Sequence, residues 1–216
     1  MRFPPIDAQY LYTTQLLDRA QASGVRVVNH PQSLRDFNEK LFALAFPQCC
    51  PPTLVTADLA AGRSFLEQHQ DIIAKPLHGM GGFSIFRLRQ GDPNVNVVFE
   101  TLSNHNQRFM LLQRYIPEIT EGDKRILLIN GQAIDYVLAR RAAPGETRAN
   151  LAAGGTGRVM PLSKTDRLYF VGLDVIGNYL TEINITSPTG LREIESVAPY
   201  SVAELFFKKL TEFNPN

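Results

Sequence analysis

The chain has 216 residues, of which 44% are apolar and 20% charged, and its 22 Lys+Arg against 21 Asp+Glu leave a net charge of +1. That length and composition suit one large domain or two small ones with a sizeable core, and the charge balance excludes a protein that holds nucleic acid mainly by bulk charge. There is no run of about 18 apolar residues to cross a membrane and no apolar h-region in MRFPPIDAQY to make a signal peptide. The only cysteines are the neighbours Cys49 and Cys50. Vicinal cysteines rarely bridge, and no second pair exists for a Cys-ligated zinc, so a reducing, cytoplasmic setting is expected.

In chain order, Asp7 reads as the N-cap of a helix reaching about Ser23, with Gly24 as its stop. The β-branched run Val25-Arg26-Val27-Val28 follows. Ser33 with Asp36 reads as a capping box opening a second helix that ends before Pro47. Pro51 and Pro52 mark a turn before a strand at Thr53–Thr56, and a helix over Asp58–His69 leads to a buried strand at Asp71–Lys75. Strands are expected at Ser84–Leu88, Phe109–Tyr115 and Arg125–Ile129, the last turning at Asn130-Gly131 into Ala133–Leu138. Residues 142–158 are rich in glycine and poor in large apolar groups, and are expected to form a mobile loop. A hairpin around Gly177-Asn178 joins Tyr169–Ile176 to Leu180–Ile185, and Ser201 with Glu204 caps a last helix at Val202–Phe213. Short helices mixed with hairpins imply an α+β fold with antiparallel sheets.

Three constellations could carry chemistry. Lys75-Pro76-Leu77-His78-Gly79-Met80-Gly81-Gly82 lies between two strands, where glycine N–H groups can approach phosphates and Lys75 can supply a cation. A plain glycine-rich turn is the competing reading, and His78, with no second histidine at ligand spacing, reads as a loop residue. On the hairpin, Gly172, Asp174, Leu180, Glu182 and Asn184 share one face by alternation, while Val171, Leu173, Val175, Ile183 and Ile185 share the other. Two carboxylates and an amide oxygen are hard donors suited to Mg²⁺ on phosphates, with a hydrated sheet face as the alternative. Because odd residues must oppose odd ones, Asp174 should pair with Glu182. That excludes a plain two-residue turn and requires a longer loop or a bulge. Last, Arg125, Arg140, Arg148 and Arg192 lie at strand ends or in glycine-rich connections, suited to capture of carboxylate or phosphate.

These motifs occur in the order found in one family. Asn29-His30-Pro31-Gln32-Ser33-Leu34-Arg35-Asp36, Asn38-Glu39-Lys40-Leu41, the 75–82 segment, Gly122-Asp123-Lys124-Arg125, the 146–155 segment Glu-Thr-Arg-Ala-Asn-Leu-Ala-Ala-Gly-Gly, Val171-Gly172-Leu173-Asp174 and the 182–190 segment ending Thr-Ser-Pro-Thr-Gly resemble the bacterial glutathione synthetases. The resemblance implies an ATP-grasp fold, with a preceding segment at 1–39, a small lid subdomain at 40–116 and a large subdomain at 117–216. It implies that Lys40 and Lys75 contact ATP phosphates under a turn formed by Gly79, Gly81 and Gly82. Gln113, Tyr115 and Ile116 would form the adenine hinge, and Asp123 would hold the ribose. Asp174, Glu182 and Asn184 would bind Mg²⁺, with Mn²⁺ as the alternative. Arg125, Arg140 and Arg148 would hold the reacting carboxylate and the transferred phosphate; Ser187, Thr189 and Gly190 would seat glycine; and residues 142–158 would close over the site.

The implied reaction joins γ-glutamylcysteine to glycine with ATP through an acyl phosphate. Another ATP-grasp carboxylate–amine ligase and a non-catalytic nucleotide-binding remnant are the alternatives. Small molecules are the expected partners, without nucleic acid or membrane. The family pattern also has an N-terminal domain, of which Met1-Arg2 matches a late point. It has in addition a helix where only Arg167, Leu168 and Tyr169 stand here. Loss of that helix is expected to bare apolar sheet surface, which a second copy in a homo-oligomer could cover.

Overall fold

The computed structural model describes residues 7–79, 81–141, 156–161 and 170–212, the stretch 156–161 by its backbone. Met80, Arg148, residues 142–155 of the expected loop, and residues 162–169 around the expected helix deletion lie outside the described residues.

Three helices come first: α1 (Ala8–Ala22), α2 (Pro31–Asp36) and α3 (Glu39–Ala43). Asp7 caps α1 as expected, accepting from the Tyr10 N–H at 2.8 Å. The second helix differs from the sequence reading, because Ser33 does not open it. His30 Nδ1 takes that place, accepting from the Gln32 N–H at 3.2 Å, and Pro31 occupies the first turn, where a missing N–H costs nothing. Phe37 then turns extended, and Asn38 Oδ1 starts α3 by accepting from the N–H groups of Lys40 and Leu41 at 3.0 and 3.1 Å. A strong cap in mid-segment thus splits one expected helix into two. The run Val25-Arg26-Val27-Val28 joins neither sheet.

The first sheet has the order β1 (Thr53–Thr56), β4 (Met110–Arg114), β2 (Asp71–Pro76), β3 (Phe86–Arg89), all antiparallel. Helices α4 (Leu59–His69) and α5 (Val95–Ser103) cover it, burying Leu66, Val95, Val98, Phe99 and Leu102 against Ile72, Leu88, Met110 and Leu112.

The second sheet has the order β7 (Thr156–Pro161), β6 (Gln132–Arg141), β5 (Asp123–Ile129), β8 (Val171–Ile176), β9 (Tyr179–Asn184), again antiparallel. Strand β7 corrects the expected loop, whose residues 156–158 pair with β6. One face of this sheet packs Leu128, Val171, Leu173 and Ile183 against Tyr10, Leu34 and Ala43 from the first three helices. The other packs Leu127, Ile129 and Leu138 against Ile194 of α6 (Leu191–Glu195) and Val202 of α7 (Val202–Glu212). Ser201 Oγ accepts from the Glu204 N–H at 3.2 Å and donates to Glu195 rather than working in a reciprocal box. Helices α6 and α7 thus cover the apolar end of the site-bearing face from within the chain, while the surface around the expected helix deletion lies outside the described residues. No helix among the described residues is long and apolar enough to cross a membrane.

Candidate active site

The β8–β9 hairpin sets the site's geometry. Gly172 opposes Asn184, Leu173 opposes Ile183 and Asp174 opposes Glu182, as parity requires. The tight Gly177-Asn178 turn is reconciled with that pairing by a bulge at Thr181, after which Val175 opposes Leu180. The bulge moves Leu180, expected on the site face, to the apolar face, where it packs beside Val175. Thr181 is buried, and its hydroxyl donates to the Asp174 carbonyl at 3.0 Å.

Strand β5 lies beside β8 with Arg125 opposite Asp174, and beside β6 with Asp123 opposite Arg140. These four side chains form a buried chain of alternating charge. Arg125 grips Asp174 with Nε on Oδ1 and with Nη2 on Oδ2 at 2.8 Å. Arg140 donates from Nε and Nη2 to the two oxygens of Asp123 at 2.6 and 2.8 Å, and its Nη2 stands 2.9 Å from Asp174 Oδ1. Asp174 is thus a paired, buried carboxylate and not a hydrated one. Burial alone would push its carboxyl up, but the two guanidiniums outweigh burial and hold it at about 2. Asp123 goes the other way: burial and repulsion from Asp174 outweigh Arg140 and raise it to about 6.

Arg125 lies across Gly172. A Cβ there would stand 2.8 Å from Pro188 Cβ and 2.9 Å from Arg125 Cδ, so only glycine fits. From that position Arg125 Nη1 donates to Thr189, to both its carbonyl and its hydroxyl, at 3.3 Å. Ser187 and Gly190 hold positive φ in the same turn, and Tyr10, from α1, joins its hydroxyl to Thr186 at 3.0 Å.

The lysines arrive from the other side. Lys75 ends up on β2 of the first sheet and stands 3.6 Å from Glu182 of the second, while Lys40 on α3 stands 3.8 Å from the same oxygen and donates to the Gly79 carbonyl at 3.2 Å. Burial pulls Lys75 below the ordinary lysine range despite Glu182. Burial also opposes charge on Lys40, but Glu182 and Glu39 together carry it above that range. Gly79, Gly81 and Gly82 all hold positive φ, which glycine adopts without strain.

At the expected hinge, Gln113 is buried and donates to the Thr53 hydroxyl at 3.2 Å, Tyr115 donates its N–H to the Asp71 carbonyl at 2.9 Å, and Ile116 is buried. Sequence reasoning missed Arg87 here: its guanidinium pairs with Asp71 at 2.9 and 2.6 Å and lies 3.4 Å over the Tyr115 ring. It missed Glu39 and Tyr10 as well. The alternation that put Arg87 on a strand held the first signal, but its partner Asp71 is 16 residues away. Arg192 and His78 are exposed.

No group of three or more His, Cys, Asp or Glu that could hold a metal occurs among the described residues. The candidate donors are instead the opposed Asp174 and Glu182 with Asn184 beside them, its amide 3.4 Å from Asp174 Oδ2. That all-oxygen set fits a hard divalent cation that completes its shell with phosphate oxygens.

Comparisons with known proteins give the family and the fold. The family model described as "Prokaryotic glutathione synthetase, ATP-grasp domain" matches residues 39–199, and that of the corresponding N-terminal domain matches residues 1–35. The glutathione synthetase of Xanthomonas axonopodis pv. citri is 53% identical over 94% of this chain and 69% of its own length. That of Pseudomonas aeruginosa is 55% identical over 89% of this chain and 65% of its own length. Among solved structures, the D-cycloserine synthetase DcsG aligns with a TM-score of 0.72 at 14% identity, covering 95% of this chain and 78% of that one. The D-alanyl-alanine synthetase A of Vibrio cholerae aligns at 0.64 and 10% identity, covering 93% and 72%. These two likenesses establish the fold.

Proposed function

The chain belongs to the prokaryotic glutathione synthetase family, and we propose that its paired sheets bind ATP and a divalent cation between them to join γ-glutamylcysteine and glycine. The supporting observation is the meeting of Lys40 and Lys75 with the Asp174–Glu182 pair, beside two arginines whose planes are fixed.

The carboxylate of γ-glutamylcysteine attacks the γ-phosphorus of ATP and ADP leaves, giving an acyl phosphate. The glycine amine attacks the acyl carbon, and inorganic phosphate leaves with the bonding pair. Lys40 and Lys75 neutralise the ATP phosphates. Asp174, Glu182 and Asn184 would hold the cation, Mg²⁺ or Mn²⁺, which when bound offsets charge on the phosphates. Asp123 and Asp174 hold Arg140 and Arg125 by their Nε/Nη2 edges, and Thr189 takes Arg125 Nη1, so the plane of each guanidinium and the direction of its remaining N–H groups are fixed. A reacting carboxylate meets those groups already oriented, which lowers the entropy cost of alignment. The turn bearing Ser187, Thr189 and Gly190 seats glycine next to Arg125. Arg148 is assigned to the transferred phosphate on the family resemblance. Gln113, Tyr115 and Ile116 face the adenine, Asp123 is the ribose-side acid, and residue 116 marks the boundary between the two ATP-grasp subdomains.

The acyl phosphate predicts a specific label transfer. With γ-glutamylcysteine carrying ¹⁸O in the reacting carboxylate, one ¹⁸O should appear in each inorganic phosphate released. Unlabelled phosphate with labelled product would rule the pathway out.

A further inference from the structure

Glu39 stands beside the phosphate lysines with no part in the chemistry described above. It opens α3, but it does not cap it, because Asn38 already accepts from the first free N–H groups of that helix. Its carboxylate instead bonds the ammonium of the next residue, Lys40. Neighbouring side chains on a helix point about 100° apart, so helical geometry alone does not create such a pair. Glu39 has to bend toward the site to make it, and does so with its side chain only 31% exposed.

The charge arrangement explains what this contact does. Lys40 is buried to 5% side-chain exposure and Lys75 to 6%, and an ammonium so far from water needs a counter-charge. Glu182 serves both lysines through one oxygen, at 3.8 and 3.6 Å. If Glu182 turns its oxygens to a divalent cation, both lysines lose that partner just as phosphates arrive. Lys40 still has Glu39 and the Gly79 carbonyl to hold it.

We infer that Glu39 is a positioning residue: its carboxylate keeps the Lys40 ammonium aimed at the phosphate site when Glu182 is committed to the cation. The inference rests on the assignment of Lys40 to phosphate and Glu182 to metal.

The test is calorimetric binding of the magnesium complex of β,γ-imido-ATP to Glu39→Gln, Glu39→Asp and Lys40→Met, with melting temperatures measured alongside. Glu39→Gln keeps the shape and removes the charge. It should weaken binding about tenfold, the scale of one charge-assisted hydrogen bond, while the melting temperature without ligand moves by no more than about 2 °C. Glu39→Asp keeps the charge on a shorter arm and should weaken binding about threefold. Unchanged affinity in Glu39→Gln together with weakened binding in Lys40→Met would overturn the inference and leave the phosphate assignment standing. A fall in melting temperature in both Glu39 variants without loss of affinity would also overturn it, as Glu39 would then be structural. Unchanged affinity in Lys40→Met would overturn the phosphate assignment and the inference with it.

Discussion

Asp174 illustrates how burial changes the meaning of a single carboxylate. Alternation along the hairpin puts it on the site face, where a metal ligand and a hydrated acid read alike. In the folded chain it is 4% exposed and shared by Arg125 and Arg140. Asp174→Asn should therefore cost stability as well as turnover, by about 3 kcal/mol, because it leaves two buried guanidiniums short of charge. Urea denaturation of the purified variant measures this, and a loss below about 0.5 kcal/mol would mean the arginines are not held as described. Asp123 makes a prediction of opposite sign. Its folded-state value of about 6 lies above the ordinary 3.8, so the folded chain binds the proton more tightly than the unfolded chain. Its contribution to stability is full below about pH 4 and is lost as pH rises through about 6. Asp174, held at about 2, contributes stability that is lost as pH falls from about 4 to about 2. Between pH 4 and 6 the melting temperature of the wild type should fall relative to that of Asp123→Asn; parallel curves would show that Asp123 is not shifted.

At the scale of elements, β8 and its neighbouring turn are fitted together by the absence of one side chain. Gly172→Ala would drive a methyl into Pro188 and Arg125 at under 3 Å. The turn at 186–190 would have to move away from Arg125, at a cost of about 2 kcal/mol. Affinity for the amine substrate should fall more than affinity for ATP, whose proposed lysine contacts lie on α3 and the first sheet; equal losses for both would point to general misfolding. Much of this element structure was legible in the sequence. The parity of apolar residues around Gly177-Asn178 was enough to pair Asp174 with Glu182 and to require a bulge or a longer loop. It could not say where the extra residue lay, so Leu180 was assigned to the wrong face. Helix α5 went unread although Val95, Val98, Phe99 and Leu102 repeat at helical spacing, because it has no side-chain cap and follows a turn. Strand β7 was hidden in a glycine-rich stretch where composition favours a loop, and its pairing with β6 is a long-range choice no local pattern carries.

Across the whole molecule, the site exists only where the two sheets meet. Lys75 of the first sheet reaches Glu182 of the second, and Arg114 at the end of β4 donates to the Tyr179 hydroxyl on β9 at 2.8 Å. Neither pairing could be read from sequence, since the partners are more than 60 residues apart and belong to separate sheets. The motifs themselves were legible, because the glycine turn, the Asp-Glu-Asn hairpin and the arginines each need particular residue types. Their assembly depends on how the sheets pack. The family membership and this assembly together make one claim: the chain couples ATP cleavage to amide formation between two small molecules. The most direct measurement is steady-state release of ADP by this chain with Mg²⁺, supplied with γ-glutamylcysteine and glycine together and with each alone. We predict rapid release only when both are present, with one glutathione formed per ADP. Equal release with either substrate omitted, or none with both present, would contradict it.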